Sequence, residues 1–383
     1  MLIVAYLYNT NGMASWCWEA AHALYEAQQP VVLVCSQAVQ LPEDSPVRII
    51  RFDPPIPNRG GLAYKISQEL RRLSPQSSGF VWELHQHLEQ QGINPTVYLL
   101  NQTDLQDPRV SVPQYVTGWA YPTSFSGYAS KIGTYMGWKL SRNAVRSALS
   151  TLGWWGKDRR AYRSATGVLA VSQRLNADLV AQGVKSVVVH PGTALSVEPR
   201  LQVVKPPYNI LTVALDLEEP RKRVRWLVEA LQKMPDPMQF SLTLVGKASP
   251  AFQEWVCRDG FPATFAGSMT RAEVQAFMVQ QDLFLFGSAL DDWGYVLTEA
   301  MSQNLCIVAP NLSPFDEIVG DTGILYAPNS QDDLRHRLSN LMEMDISALR
   351  LAARSRVETM FSRQVFAQNL LAVAKADEAS SYL

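Results

Sequence analysis

Two carboxylates, Asp291 and Glu299, bracket a glycine turn in the stretch Asp291-Asp292-Trp293-Gly294-Tyr295-Val296-Leu297-Thr298-Glu299-Ala300-Met301. The apolar run Leu283-Phe284-Leu285-Phe286 before it reads as a buried strand, and the stretch from Val296 onward reads as a helix. A strand, a glycine turn and a helix start make a place where backbone N–H groups can face an anion. A carboxylate one to two turns into that helix can reach sugar or ribose hydroxyls. This is chemistry suited to holding a nucleotide sugar.

A second group of charges, Arg221-Lys222-Arg223, follows one strand and precedes another helix. Three consecutive cations at a helix start oppose the macrodipole, which is positive there. A diphosphate would relieve that conflict through charge-assisted hydrogen bonds. The competing reading is a solvated basic turn, partly neutralised by Glu218 and Glu219. The 291–299 element at another strand end of the same half favours the phosphate. Gly246 closes the strand Leu242-Thr243-Leu244-Val245, and Gly267 closes one ending in Phe265-Ala266. Glycine there lets a ligand approach the backbone closely, although a plain tight turn suits Gly267 better.

These pieces must be positioned by alternating β and α units, and the whole chain carries that pattern. In the first half, apolar runs at 2–6, 31–35, 47–51, 97–100, 114–117, 167–171 and 186–190 read as strands. Helical patterns fall at 15–28, 66–73, 80–91 and 173–182. In the second half, strands are expected at 209–214, 240–245, 263–266, 283–286, 306–309 and 323–326. Helices are expected at 224–233, 250–257, 270–280, 296–303, 330–342 and 346–360. Alternation of this kind implies parallel sheets covered on both faces, with ligands beyond the carboxyl ends of the strands. Residues 196–208, with Pro199, Pro206 and Pro207, read as an extended linker. The expected division is a first domain over 1–195, a linker over 196–208 and a second domain over 209–360.

The bulk numbers exclude several classes. At 383 residues, two domains are the natural expectation, and a 47% hydrophobic fraction supplies an ordinary core. A net charge of −1 argues against a generally basic nucleic-acid binder. Cys17, Cys35, Cys257 and Cys306 are scattered and read as reduced, mostly buried thiols. The five histidines show no metal-ligand spacing, and His85 and His87 read as surface residues. No run of 18 apolar residues is present, and Met1-Leu2-Ile3-Val4-Ala5-Tyr6-Leu7 reads as a first strand, not a signal peptide. A cytoplasmic protein is expected, soluble or peripheral on the cytoplasmic face of a membrane.

The second-half motifs, in this order, resemble the retaining GT-B glycosyltransferases of the family 4 type (glycosyl transferases group 1). Lys222 stands where that family has a lysine after the opening strand of its second domain. Val245-Gly246 matches its strand end, Asp291-Asp292-Trp293-Gly294 its Glu-Gly-Phe-Gly turn, and Glu299-Ala300-Met301 its Glu-Ala-Met. Glu317-Ile318-Val319-Gly320 matches a later segment. First-domain matches are looser: Asn9-Thr10-Asn11-Gly12-Met13-Ala14 for a glycine-rich loop, Ala170-Val171-Ser172 for a strand end, and His190-Pro191-Gly192 before the linker. The tail from 361 resembles a terminal helix that crosses back onto the first domain, which assigns 361–383 to it.

The resemblance implies an α/β GT-B fold of two doubly wound, Rossmann-like domains facing across a cleft. It implies a hexosyltransferase that retains configuration, with a UDP- or GDP-sugar donor and neither cofactor nor catalytic metal. Lys222 with Arg221 would neutralise the departing diphosphate, and Arg223 and Gly246 would lie beside the donor. Glu299 would hold the ribose hydroxyls, Asp291 the hydroxyls of the transferred sugar, and the backbone of Trp293, Gly294 and Tyr295 would line the phosphates. Gly12, Asn101, Asp104 and Trp119 are the acceptor-side candidates. Three departures stand out. Asp291 is one methylene shorter than the usual Glu. Leu217 takes the place of the usual Arg. No His occurs in Val116-Thr117-Gly118-Trp119-Ala120-Tyr121, where the family often has one. These departures motivate an alternative, a catalytically weak donor-binding partner subunit. A sugar-nucleotide epimerase is a further alternative.

Residues 125–163 form a basic aromatic segment. Lys131, Lys139, Arg142, Arg146, Lys157, Arg159, Arg160 and Arg163 face one acid, Asp158, and alternate with Tyr128, Tyr135, Trp138, Trp154, Trp155 and Tyr162. That mixture suits an anionic membrane surface, or an insertion packed onto the domain; nucleic acid is the least favoured partner.

Overall fold

In the computed structural model, the structure describes residues 3–7, 12–37, 41, 45–53, 80–101, 107–118, 162–195 and 204–380. The chain divides into two compact units, Met1–Gly192 with Arg363–Leu383, and Thr193–Ser362. Expected features at 66–73, at 196–203 and across 119–161 lie outside the described residues.

The first unit is built on a parallel sheet. Its described strands are β1 (Ile3–Leu7), β2 (Val31–Cys35), β3 (Arg48–Arg51), β4 (Val97–Leu100), β5 (Gln114–Gly118), β6 (Gly167–Ala170) and β7 (Ser186–Val188). They lie in the order β3-β2-β1-β4-β5-β6-β7. Every residue of β2, β4, β5 and β6 is buried, as strands covered on both faces require. Helices α1 (Gly12–Glu26), α2 (Phe80–Gln90) and α3 (Gln173–Ala181) connect them. Ser172 caps α3, accepting from Leu175 N–H.

The second unit repeats this plan. Its strands are β8 (Tyr208–Asp216), β9 (Phe240–Lys247), β10 (Ala263–Gly267), β11 (Leu283–Leu285), β12 (Cys306–Pro310) and β13 (Ile324–Tyr326), in the order β10-β9-β8-β11-β12-β13. Its helices are α4 (Val224–Gln232), α5 (Pro250–Val256), α6 (Arg271–Met278), α7 (Tyr295–Ser302), α8 (Phe315–Val319), α9 (Gln331–Ser339) and α10 (Ile346–Arg356). Val224, Leu227, Val228 and Leu231 of α4 recur at helical spacing and pack on Ile210, Leu242 and Leu285 from the sheet. In both units the strand order reverses beside the first strand, between β1 and β4 and between β8 and β11. Ligands of open α/β sheets bind beyond the strand ends at that point.

Two of the differences from the sequence reading bear on packing. The strand expected over 209–214 continues to Asp216, and its pairing with β9 shifts register between Val213 and Asp216. The helix expected over 346–360 stops at Arg356 and continues as a single π turn, Val357–Phe361. The wider turn buries both Val357 and Phe361 completely.

The last helix, α11 (Arg363–Ser380), belongs to the first unit. Phe366, Ala367, Leu370 and Ala374 form its buried stripe, and Phe366 meets Trp16 of α1 edge-on, with ring centroids 5.4 Å apart. Arg363 donates to Glu19 at 2.6 Å and to Glu26 at 2.6 Å, both on α1. The first of these carboxylates is fully buried. Arg363→Ala leaves that carboxylate without its cation, so unfolding free energy should fall by about 3–5 kcal/mol. Urea denaturation checks this; a loss under about 1 kcal/mol, the ceiling for an exposed pair, would mean the pair is not a structural anchor.

Candidate functional site

The carboxyl end of β8 sets the first wall of the site. After Asp216 the chain turns through the 3₁₀ segment Pro220–Lys222 and enters α4 at Arg223, whose φ of 54° lies in the left-handed region. The second wall follows β11. The loop 286–292 is stitched to the first, because Ala289 N–H donates to the Arg221 carbonyl at 2.8 Å. This loop ends at Gly294, which opens α7 with φ 87°, a conformation that glycine adopts without strain. No side chain caps α7. Its N-terminal end therefore offers its dipole to solvent or to an anion.

The side chains on these walls converge. Lys222 Nζ donates to Asp291 Oδ2 at 2.7 Å and stands 5.9 Å from the centre of the Phe286 ring. Arg221 donates to Glu219 at 2.5 Å and, more distantly, to Asp291 Oδ2 at 3.5 Å. The side chains of Lys222, Arg221 and Asp291 are 16%, 17% and 24% exposed, so their charges are only partly screened by water. The sequence suggested that Glu218 and Glu219 share the neutralisation. Only Glu219 does so. Glu218 turns away and accepts from Ser249 N–H at 2.7 Å at the start of α5, which holds its carboxyl below the usual range.

Glu299 lies on α7, almost buried, and accepts from Arg271 Nε at 2.6 Å. Sequence reasoning passed over Arg271. Its signal was a cation at the first position of a helix, immediately after the Thr270 cap. Two further arginines hold the other end of α7. Arg350 donates to the Asn304 carbonyl at 2.6 Å, and Arg354 donates to the Ser302 carbonyl. Cations at a helix C-terminus satisfy carbonyls that the helix leaves open. Trp293, expected to contribute backbone, buries its side chain against Phe361, with ring centroids 5.3 Å apart. Thr298, next to Glu299, makes a 2.6 Å hydroxyl contact with Thr193.

Gly246 has a structural role that its sequence context did not suggest. A Cβ there would lie 1.9 Å from the Ala214 carbonyl oxygen, so the close approach it permits is that of β8 itself. Gly267, by contrast, has open space around it, as a tight turn would.

In the first unit, Gly12 is the first residue of α1, beyond the end of β1. Asn101 directly follows β4, fully buried, and neither of its amide atoms has a hydrogen-bond partner. Asp104 and Trp119 lie outside the described residues, as does nearly all of 125–163. Of that segment Tyr162 is buried, and Arg163 donates to the Gln182 carbonyl at 2.9 Å.

Cys17, Cys35 and Cys306 are buried and Cys257 is exposed. Burial pushes the Cys306 thiol up to about 12 and raises Cys17 and Cys35 as well, which disfavours thiolate chemistry. His85, read as a surface residue, is instead part-buried and bonds the hydroxyl of the buried Tyr98 at 2.8 Å. Among the described residues no group of three His, Cys, Asp or Glu side chains could hold a metal ion. No helix among them is long and apolar enough to cross a membrane.

Comparison with known proteins agrees with this geometry. Residues 207–344 match the family described as Glycosyl transferases group 1. The O-antigen chain mannosyltransferase B of Escherichia coli is 25% identical over 134 residues, 33% of this chain and 35% of that protein. The match thus spans about a third of that relative's length. Sucrose-phosphate synthase of Thermosynechococcus elongatus superposes with a TM-score of 0.70 at 17% identity, covering 99% of this chain and 100% of that one. Anabaena HepE in complex with UDP gives 0.64 at 17% identity, covering 98% and 100%. The match to Glycosyl transferases group 1 falls within the second unit, and the chain as a whole has the GT-B fold.

Proposed function

We propose that the protein is a retaining hexosyltransferase that takes its sugar from a nucleotide diphosphate donor held by the second unit. The observation that carries this reading is the Lys222–Asp291 contact, 2.7 Å long, joining the ends of two adjacent strands at the point where the strand order reverses. A cation there, beside an uncapped helix N-terminus, suits a diphosphate leaving group. An acid beside the same cation suits the hydroxyls of the sugar attached to it.

In this reaction the bond between the anomeric carbon and the diphosphate oxygen breaks, and its electron pair stays on the diphosphate. An acceptor hydroxyl attacks from the same face, and its proton passes to the departing diphosphate oxygen. No histidine is required as base. Lys222 and Arg221 stabilise the charge that develops on the leaving group. Asp291 orients the sugar, Glu299 accepts from the ribose hydroxyls, and the backbone at Trp293, Gly294 and Tyr295 lines the phosphates, with Arg223 and Gly246 nearby. On the acceptor side, Asn101 is the best-supported residue, since its buried amide has unused hydrogen-bonding capacity. A UDP- or GDP-sugar is the proposed donor; the similarity to HepE, a protein seen with UDP, favours UDP. Residues 125–163 are proposed to meet an anionic membrane surface, and vesicle sedimentation at low salt tests that separately.

The donor is tested by thermal shift with UDP-, GDP- and ADP-sugars. A true donor at about a hundred times its Kd adds about 2.7 kcal/mol of stability. Stabilisation by none of them would overturn the proposal. Glu299→Gln should then weaken binding of the active donor about tenfold or more, the worth of a charged hydrogen bond. Unchanged affinity by calorimetry would remove Glu299 from the site.

A further inference from the structure

We infer that Arg271 is a positioning residue for Glu299, and that the pair, not the carboxylate alone, sets the preference for ribose over deoxyribose in the bound nucleotide. The inference rests on the reading above that Glu299 faces the ribose.

Arg271 opens α6, which follows β10, whereas Glu299 sits inside α7, which follows β11. The bond between them is 2.6 Å long and uses Nε of the guanidinium and Oε1 of the carboxylate. Among the described residues, Glu299 Oε2 carries no hydrogen bond. One oxygen is therefore spent on the arginine and the other is kept for a ligand. The Nε–H points along the plane of the rigid guanidinium and so fixes the direction from which Oε1 is held, which a freely rotating ammonium does less well.

The burial of the pair gives the contact its weight. The Glu299 side chain is 9% exposed and that of Arg271 is 33% exposed. A carboxylate so far from water is costly unless a cation compensates it. Arg271 provides that compensation and is itself held by its helix cap. Thr270 N–H and the Thr270 hydroxyl both donate to Glu273, at 2.7 and 2.8 Å, and the Thr270 hydroxyl accepts from Glu273 N–H in return. The capping box fixes where α6 begins, and so where Arg271 stands. It also occupies Glu273, the acid of the same turn. A cation at a helix start is disfavoured by the macrodipole, so Arg271 is placed against its local preference. Glu299, on another helix, offsets that cost.

Calorimetry with UDP, GDP and ADP, each paired with its 2′-deoxy form, tests the inference on the full chain. The nucleotide that binds wild type best is carried forward. Wild type should prefer the ribose form about tenfold, as for one hydrogen bond to a charged group. Glu299→Gln should lose that preference. Arg271→Ala should lose it too, leaving the two forms within about threefold, while Arg271→Lys restores part of it by returning the charge without the planar fork. Melting curves establish that each variant is folded, and Arg271→Lys carries the test if Arg271→Ala is not. A merely structural arginine would lower both affinities together and leave their ratio intact. That outcome, with Glu299→Gln losing the preference, overturns the inference and spares the functional proposal. A wild type that binds both forms alike removes the ribose contact of Glu299 and the inference with it. A wild type that binds no nucleotide overturns both.

Discussion

Lys222→Ala should lower the rate of sugar transfer about 10²–10³-fold while leaving the melting temperature nearly unchanged, the magnitude seen when one preorganised charge-stabilising donor is lost. The reason lies in where the charge appears. A diphosphate gains negative charge as the sugar leaves, and Lys222 Nζ is the cation that reaches across from the β8 end to the β11 end, 2.7 Å from Asp291. Its loss also leaves Asp291, among the described residues, with no cation nearer than Arg221 at 3.5 Å. That uncompensated carboxylate would then face the departing phosphates and repel them. Stability should move little, because Asp291 is 24% exposed and keeps the Asp292 N–H and Arg221 as partners. Initial rates with the donor identified by thermal shift measure the effect. A variant within about threefold of wild type would take Lys222 out of the leaving-group stabilisation, since that role demands far more.

Gly246→Ala should be the most damaging single methyl group in the second unit. The new Cβ would stand 1.9 Å from the Ala214 carbonyl oxygen and 3.3 Å from Leu217 Cγ, and φ at this position is +144°. Backbone, not a flexible side-chain end, occupies the space. Relief requires the end of β8 to move away from β9, at the place where their register already shifts between Val213 and Asp216. The Leu217 N–H bond to the Lys247 carbonyl, 2.9 Å long, would open with it. Loss of stability should exceed about 4 kcal/mol, in the exceptional range for a point substitution. Because the displaced strand end leads directly into the Pro220–Lys222 turn, any folded fraction should also bind donor poorly. Denaturant titration measures the first effect and nucleotide calorimetry the second. A loss under about 1 kcal/mol, typical of an ordinary substitution, would contradict the packing argument.

Legibility in the sequence followed the range of the interactions. Asp291, Gly294 and Glu299 are neighbours along the chain, and their spacing alone places them on a turn and a helix. The central strands β2, β4, β11 and β12 were visible because parallel, doubly covered strands are short apolar runs. Helix α8 was missed, since five residues cannot display a helical period. The Arg271–Glu299 bond was missed for a different reason. It joins two helices across a strand, and no local pattern shows which acid an arginine will meet. Glu218 and Glu219 could not be told apart for a similar reason. Both lie beyond the register shift at the end of β8, where one turns to Arg221 and the other to Ser249 at the start of α5. Gly246 itself was noticed, but not the Ala214 carbonyl that its missing side chain makes room for.

The return of α11 to the first unit has a consequence for how the protein is made. A ribosome delivers β1 through β7 early, but the helix whose Arg363 compensates the buried Glu19 and whose Phe366 meets Trp16 emerges last. All of Thr193–Ser362 is synthesised in between. Its ends are already neighbours in the folded unit, since Thr193 N–H donates to the Phe361 carbonyl at 2.8 Å. The inserted unit can thus fold on emergence and bring the chain back to its point of departure, sparing α11 a long search. The half of the protein that is translated first is expected to be the half completed last.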